Sequence, residues 1–223
     1  MSSSDPAGAV PFRTADEVTT ALARVVAHLR GGGLLAYPTE TVYGLGSRPR
    51  EAEVRALAEL KGRRPDKPFL LLIAGREMAE AHGLAFNESA TALARAFWPG
   101  PLTIVLPGGG GRLPDSLRGP EGGIAVRWTS HPHTARLVAA LGEPLTSTSA
   151  NLPGSPPAPG ADAIRRDFAA AVVAGRLLVL DGGVLGNRPP STVVDCTGPT
   201  PRVVRAGALP VAELRRAVGI LAP

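Results

Sequence analysis

The chain has 223 residues, 44% apolar and 19% charged, a balance that suits one well-buried globular domain and excludes a disordered chain. A net charge of +5 with no run of five basic residues excludes a nucleic-acid-binding tail, and aromatic residues at 4% are poor material for a base-stacking platform. No apolar run nears the length that spans a bilayer, the first ten residues lack the features of a signal peptide, and the single cysteine, Cys196, excludes an internal disulfide framework and suits a reducing cytoplasm.

Residues 1–13 are expected to form a flexible tail and residues 14–223 a single domain. Thr14-Ala-Asp-Glu17 is a capping-box pattern that opens a helix, Val18, Leu22, Val25 and Leu29 follow at helical spacing, and Gly31-Gly-Gly33 ends it. Residues 34–37 read as a short buried strand. It runs into a polar loop, Pro38-Thr-Glu-Thr-Val-Tyr-Gly-Leu-Gly46. Residues 51–61 form a helix with Val54, Leu57 and Leu60 inward, so Lys61 falls at a helix C-terminus, where the dipole favours a cation. The continuous apolar run 69–73 is typical of a strand covered on both faces. Asn87 caps a helix over 88–98, which Pro99-Gly-Pro101 breaks before a strand at 102–106. Residues 107–123, with four consecutive glycines, are a mobile-loop candidate. A strand at 124–128, a helix at 132–141 and a strand at 144–149 follow. The Pro- and Gly-rich segment 152–160 reads as a flap or linker, and a helix is expected over 161–174. Strands at 176–181, 191–196 and 202–205 precede a closing helix that starts at Pro210 and ends at Val218. Several late strands follow one another without a helix, which favours a mixed α/β sheet with helices packed on it over a doubly wound one.

Four polar clusters sit at strand ends or just after strands: Thr39-Glu-Thr41, residues 61–67, Thr146-Ser-Thr-Ser-Ala-Asn151, and Ser191-Thr192. Open sheets place ligand sites at such edges. Of 24 basic residues only Lys61 and Lys67 are lysines, and both lie in the second cluster. Lysine is a compact point charge suited to a phosphate oxygen. Hydroxyls, an amide and cations make an anion-binding inventory, expected to work without a competing carboxylate. Other chemistries are poorly served. No Gly-x-x-x-x-Gly-Lys-Ser/Thr loop or Gly-x-Ser-x-Gly elbow occurs, and His131 and His133 have no acidic or cysteine cluster to complete a metal site.

In order along the chain, several segments resemble the YrdC-like family of threonylcarbamoyl-AMP synthases. They are Ala36-Tyr-Pro-Thr-Glu-Thr-Val-Tyr-Gly-Leu-Gly46, Lys61-Gly-Arg63 with Lys67-Pro68, Trp98-Pro-Gly-Pro-Leu-Thr103, Ile124-Ala-Val-Arg127, Ser147-Thr-Ser-Ala-Asn151, Ser191-Thr-Val193 and Arg205-Ala-Gly207. The resemblance covers roughly residues 14 to 218. It implies a YrdC/RibB-like twisted mixed sheet flanked by helices with a concave basic cleft, in the short single-domain bacterial form. It implies a nucleotidyltransferase that condenses L-threonine, bicarbonate and ATP, with Mg²⁺ arriving on the ATP, to threonylcarbamoyl-AMP and pyrophosphate. Threonylcarbamoyl-transferase proteins then carry the group to adenosine 37 of tRNA.

Two positions depart from the family pattern. Some members carry a threonine-contacting histidine in the strand after the Lys-Pro pair, where Leu72 is the nearest position here. The usual proline directly after Lys-x-Arg is Arg64 here, with proline at Pro65.

The chemistry joins an anionic carbamate to an anionic triphosphate, so cations and fixed dipoles carry most of the catalysis. The resemblance implies Lys61 and Arg63 as catalytic phosphate ligands, with Ser149, Asn151 and Arg205 on the ATP side. Thr39, Arg127, Ser147 and Ser191 would hold threonine, Arg127 by bidentate pairing to its carboxylate. Segment 152–160 or the Gly108 region would close over the site. The competing class is a non-catalytic RNA-binding protein that uses the same cleft, because every one of these cations also suits RNA phosphates; the synthase reading expects weak, nonspecific RNA binding, and the alternative tight binding with a structural preference.

Overall fold

The computed structural model describes residues 8–62, 67–186 and 188–222. Ten strands form one sheet in the order β1-β8-β2-β3-β7-β4-β6-β5-β9-β10. They are β1 (Val10–Pro11), β2 (Leu34–Tyr37), β3 (Gly44–Gly46), β4 (Leu70–Ile73), β5 (Leu102–Leu106), β6 (Ile124–Trp128), β7 (Leu145–Ser149), β8 (Leu177–Asp181), β9 (Thr192–Asp195) and β10 (Arg202–Arg205). The pairs β1–β8, β2–β8, β4–β6 and β5–β9 are parallel and the other five are antiparallel, so the sheet is mixed, as the late consecutive strands predict.

Helices cover the two faces unequally. On one face pack α2 (Glu51–Lys61), α3 (Arg76–Ala81), α4 (Glu88–Phe97), α6 (Ala161–Asp167), α7 (Ala169–Val173) and α8 (Val211–Val218). The opposite face carries α1 (Ala15–Arg30) and α5 (Pro132–Leu141), which bury Leu35, Tyr37, Leu72, Leu145 and Leu180. Beyond their reach, the same face of the sheet is left open.

The helix boundaries follow from local chemistry. Thr14 and Glu17 form the reciprocal capping box, and Asn87 accepts from the Ala90 amide to cap α4. Gly62 ends α2 in the left-handed region at φ 55°.

Several expectations need correction. The tail does not extend to residue 13: Val10 and Pro11 pair with Leu180 and Asp181, and Phe12 is fully buried. The loop 38–46 contains β3, whose glycines permit close approach. A Cβ at Gly46 would lie 2.0 Å from Thr146 O, and one at Gly44 2.9 Å from the Tyr37 ring. The helix over 161–174 is two helices, broken at Phe168, whose side chain enters the core. The glycine-rich loop 107–123 is anchored: Leu113 and Leu117 are buried, and Arg118 donates to Gly108 O and Gly122 O, both at 2.8 Å.

Candidate active site

The open part of the sheet face is the floor of a cleft of about 1190 Å³. Side chains alternate across a strand, so every second residue points into it. Thr103 and Val105 of β5, Ala125 and Arg127 of β6, Ser147 and Ser149 of β7, and Val193 and Asp195 of β9 line the cleft. Their neighbours Ile104, Val126 and Val194 belong to the opposite core. Residues 156–159, 185–186, 188–190 and 119–121 with Gly123 complete its lining. Four arginines line the cleft against two acids, Glu121 and Asp195, so its lining is net basic among the described residues.

Of the residues expected to bind threonine, Thr39, Arg127, Ser147 and Ser191 all reach this cleft, as do Ser149 and Arg205 from the ATP group. They come from five segments of the chain. Arg63 lies outside the described residues, as do Arg64 and Pro65.

Ser191 Oγ sits 2.8 Å from Thr103 Oγ1, and Arg205 Nη2 donates to Ser191 O at 2.8 Å and to Ser191 Oγ at 3.2 Å. Burial, and then the charge of Arg127, hold the Arg205 guanidinium below its ordinary pKa. The two arginines therefore feel one another across the floor. Thr39 is more committed than its expected role requires. Its hydroxyl donates to Val42 O at 2.6 Å and accepts from the amides of Thr41 and Val42, so it closes its own loop.

Lys61 differs from the expectation of a cleft residue. It is only 7% exposed, and among the described residues neither it nor Asn151 forms part of the cleft wall. The C-terminus of α2 abuts the turn after β7, with Pro153 Cγ 3.4 Å from where a Gly62 Cβ would stand. Lys61 Nζ there donates to Asn151 O and, at 2.6 Å, to Asn151 Oδ1. Ser149 Oγ donates to the same Oδ1 at 2.6 Å, while Asn151 Nδ2 donates to Leu152 O and Ser155 O. Lys61, Ser149 and Asn151 are thus brought together, with Asn151 as the hub and Ser149 as the member that reaches the cleft.

Leu72 is buried under α1 and α5, whereas Leu70, one pleat away, lines the cleft.

The expectation of donors without a competing carboxylate fails at Arg127. Glu40 Oε1 lies 2.6 Å from Arg127 Nη2, with the side chains 13% and 5% exposed. Glu40 also accepts from Thr129 Oγ1 and, at 3.3 Å, from the Ser130 amide. Burial pushes the Glu40 carboxyl upward, but the Arg127 charge and the hydrogen bonds from Thr129 and Arg127 outweigh it, and its pKa ends below the ordinary value. Arg127 Nη1 and Nη2 further donate to Thr41 Oγ1 at 3.3 and 3.2 Å, while its buried Nε has no hydrogen-bond partner among the described residues. Breaking a buried pair of this kind costs about 3–5 kcal/mol, because one charge is left uncompensated. Sequence reasoning kept Glu40 inside a polar cluster without assigning it a role. The available signal was that it is the one acid between Leu34 and Arg50, in a loop that leaves a fully buried strand.

Comparison with known proteins shows the family of the chain. A curated protein of Thiobacillus denitrificans named threonylcarbamoyl-AMP synthase is 41% identical over 181 residues, 81% of this chain and 92% of that protein. One of the same name from Pyrococcus abyssi is 36% identical over 192 residues, 86% of this chain but only 55% of its relative. The crystal structure of P. abyssi Sua5 complexed with L-threonine superposes with a TM-score of 0.85 at 33% identity, covering 96% of this chain and 62% of that one. The model of the Sua5/YciO/YrdC family, described as "Telomere recombination", matches residues 27–207. The chain belongs to the Sua5/YciO/YrdC family.

Proposed function

We propose that this chain is an L-threonylcarbamoyladenylate synthase, a nucleotidyltransferase that joins L-threonine, bicarbonate and ATP into threonylcarbamoyl-AMP with release of pyrophosphate. The observation that carries the reading is the convergence of Thr39, Arg127, Ser147, Ser149, Ser191 and Arg205 on one basic cleft in a chain of this family. At about 1190 Å³ the cleft exceeds the usual size of a pocket for a single small ligand, which suits two substrates held side by side.

In this reading the threonine carboxylate pairs with Arg127, and Thr39, Ser147 and Ser191 hold the rest of the amino acid. Ser149 and Arg205 face the nucleotide. Lys61 supplies positive charge beneath the corner built by Ser149 and Asn151, and Arg63 joins it at the phosphates. The threonine amine and bicarbonate form a carbamate with loss of water, and a carbamate oxygen attacks the α-phosphate as its bond to pyrophosphate breaks and pyrophosphate leaves. Charge builds on phosphate oxygens in that step, so fixed cations stabilise the transition state more than the separated reactants. Mg²⁺ enters with the triphosphate. The donor set suits that route: among the described residues no three His, Cys, Asp or Glu side chains converge, and Asp195 and Glu121 both pair with Arg202. A cytoplasmic setting, with the product passed to a threonylcarbamoyl transferase that acts on tRNA, completes the proposal.

The test is product capture. Protein given Mg-ATP, threonine and ¹³C-bicarbonate should form a threonylcarbamoyl adenylate one mass unit heavier than with unlabelled bicarbonate. A folded preparation that binds both substrates yet forms no labelled adenylate would overturn the reading.

A further inference from the structure

The Arg127–Glu40 pair is built differently from the surface ion pairs of this chain. Strand β6 presents Arg127 to the cleft, and the chain leaves it through Thr129 and Ser130. Those two residues hold Glu40, through the Thr129 hydroxyl on Oε2 and the Ser130 amide on Oε1. Glu40 in turn holds Arg127, whose other contact, Thr41, is its chain neighbour. The acid is thereby fixed from one side and grips the guanidinium from the other. Thr129 is fully buried and also accepts from the His131 amide, so the anchor is packed and bonded on its own side.

We infer that Glu40 is a positioning residue for the amino-acid half of the cleft: its carboxylate fixes the Arg127 guanidinium in the one orientation in which it meets the substrate carboxylate. The inference rests on the synthase reading, in which Arg127 receives threonine. Two features favour it over a purely structural pair. A long arginine side chain loses rotamer freedom on binding unless it is already held, and Glu40 with Thr41 holds this one in advance. Glu40 also offsets the mutual repulsion of Arg127 and Arg205, which share the cleft with their charges close enough to interact. An acid that serves only stability would affect both substrates alike, or neither. One that orients Arg127 affects threonine alone.

The experiment is a pair of titrations on purified Glu40→Gln protein, which keeps the shape of the side chain and removes its charge. The dissociation constant for threonine should rise about tenfold, while that for Mg-ATP stays within about twofold of wild type. Thr129→Val loosens the grip on Glu40 but keeps the ion pair, and it should weaken threonine binding in the same direction by a smaller factor. It also carries the test if Glu40→Gln does not fold. Glu40→Asp, with charge retained, should recover part of the threonine affinity. Unchanged threonine affinity in folded Glu40→Gln or Thr129→Val protein would overturn the role, as would equal weakening of ATP and threonine. Wild-type protein that binds no threonine at all would instead overturn the synthase reading, and this inference with it.

Discussion

Replacing Lys61 by alanine tests whether its charge or its packing matters. Lys61 Nζ makes two contacts with Asn151, to the backbone oxygen and to Oδ1. Oδ1 keeps a partner in Ser149 after the substitution, whereas the backbone oxygen loses this donor. A half-buried acceptor deprived of its donor costs roughly 1–2 kcal/mol, and loss of the packed lysine stem brings the total to about 2 kcal/mol. For a domain of this size that lowers the melting temperature by roughly 4–8 °C. Removing a charge partner of the transition state lowers turnover by about 10²-fold, far more than such a loss of stability accounts for at 25 °C. Lys61→Arg should also be impaired, because a planar guanidinium cannot replace a compact ammonium in a site only 7% exposed. Differential scanning calorimetry and steady-state pyrophosphate release, run on the same preparations, separate the two effects. A Lys61→Ala protein with wild-type turnover would refute the catalytic role. A melting temperature that stays put would refute the hub geometry at Asn151.

Three further outcomes are expected. Ser149→Ala should weaken Mg-ATP binding several-fold in titration calorimetry and leave threonine binding near wild type; the reverse would mean that the two halves of the cleft are interchanged. Gly46→Ala should destabilise the fold by about 3 kcal/mol, since its new methyl would sit 2.0 Å from Thr146 O and force β3 away from β7; a melting temperature within about 2 °C of wild type would contradict the close approach. RNA should bind weakly, with steep salt dependence, and be displaced by saturating Mg-ATP and threonine in a filter-binding titration; nanomolar, structure-selective binding that ignores both would favour an RNA-binding protein.

Most regular elements were legible because their signals are local. The capping box at Thr14, the Asn87 cap and the apolar runs that became β4, β5 and β6 name their own structure. Strand β3 was not legible, because Gly-Leu-Gly has little strand propensity by itself. What makes it a strand is its pairing with β2 and β7, where the Tyr37 ring and the Thr146 carbonyl come so close that only a glycine fits. Strand β1 was missed for a related reason, since a two-residue strand is defined by its partner β8 and not by its own pattern.

The site divides along the same line. Ser147, Ser149 and Ser191 were visible as hydroxyls interrupting strands, and the structure sets all three on the cleft. Thr103 belongs beside them, 2.8 Å from Ser191, but is a single hydroxyl in a five-residue strand whose other members are apolar. Glu40 was obscured because an acid in a loop ordinarily faces water. Its importance depends on Arg127, 87 positions away, and sequence spacing carries no trace of that pairing.

The most direct measurement is pyrophosphate release by the purified protein with Mg-ATP, adding threonine and bicarbonate separately and then together. The account predicts release only when both are present. Release that proceeds without threonine, or none at all from a folded protein, would contradict it.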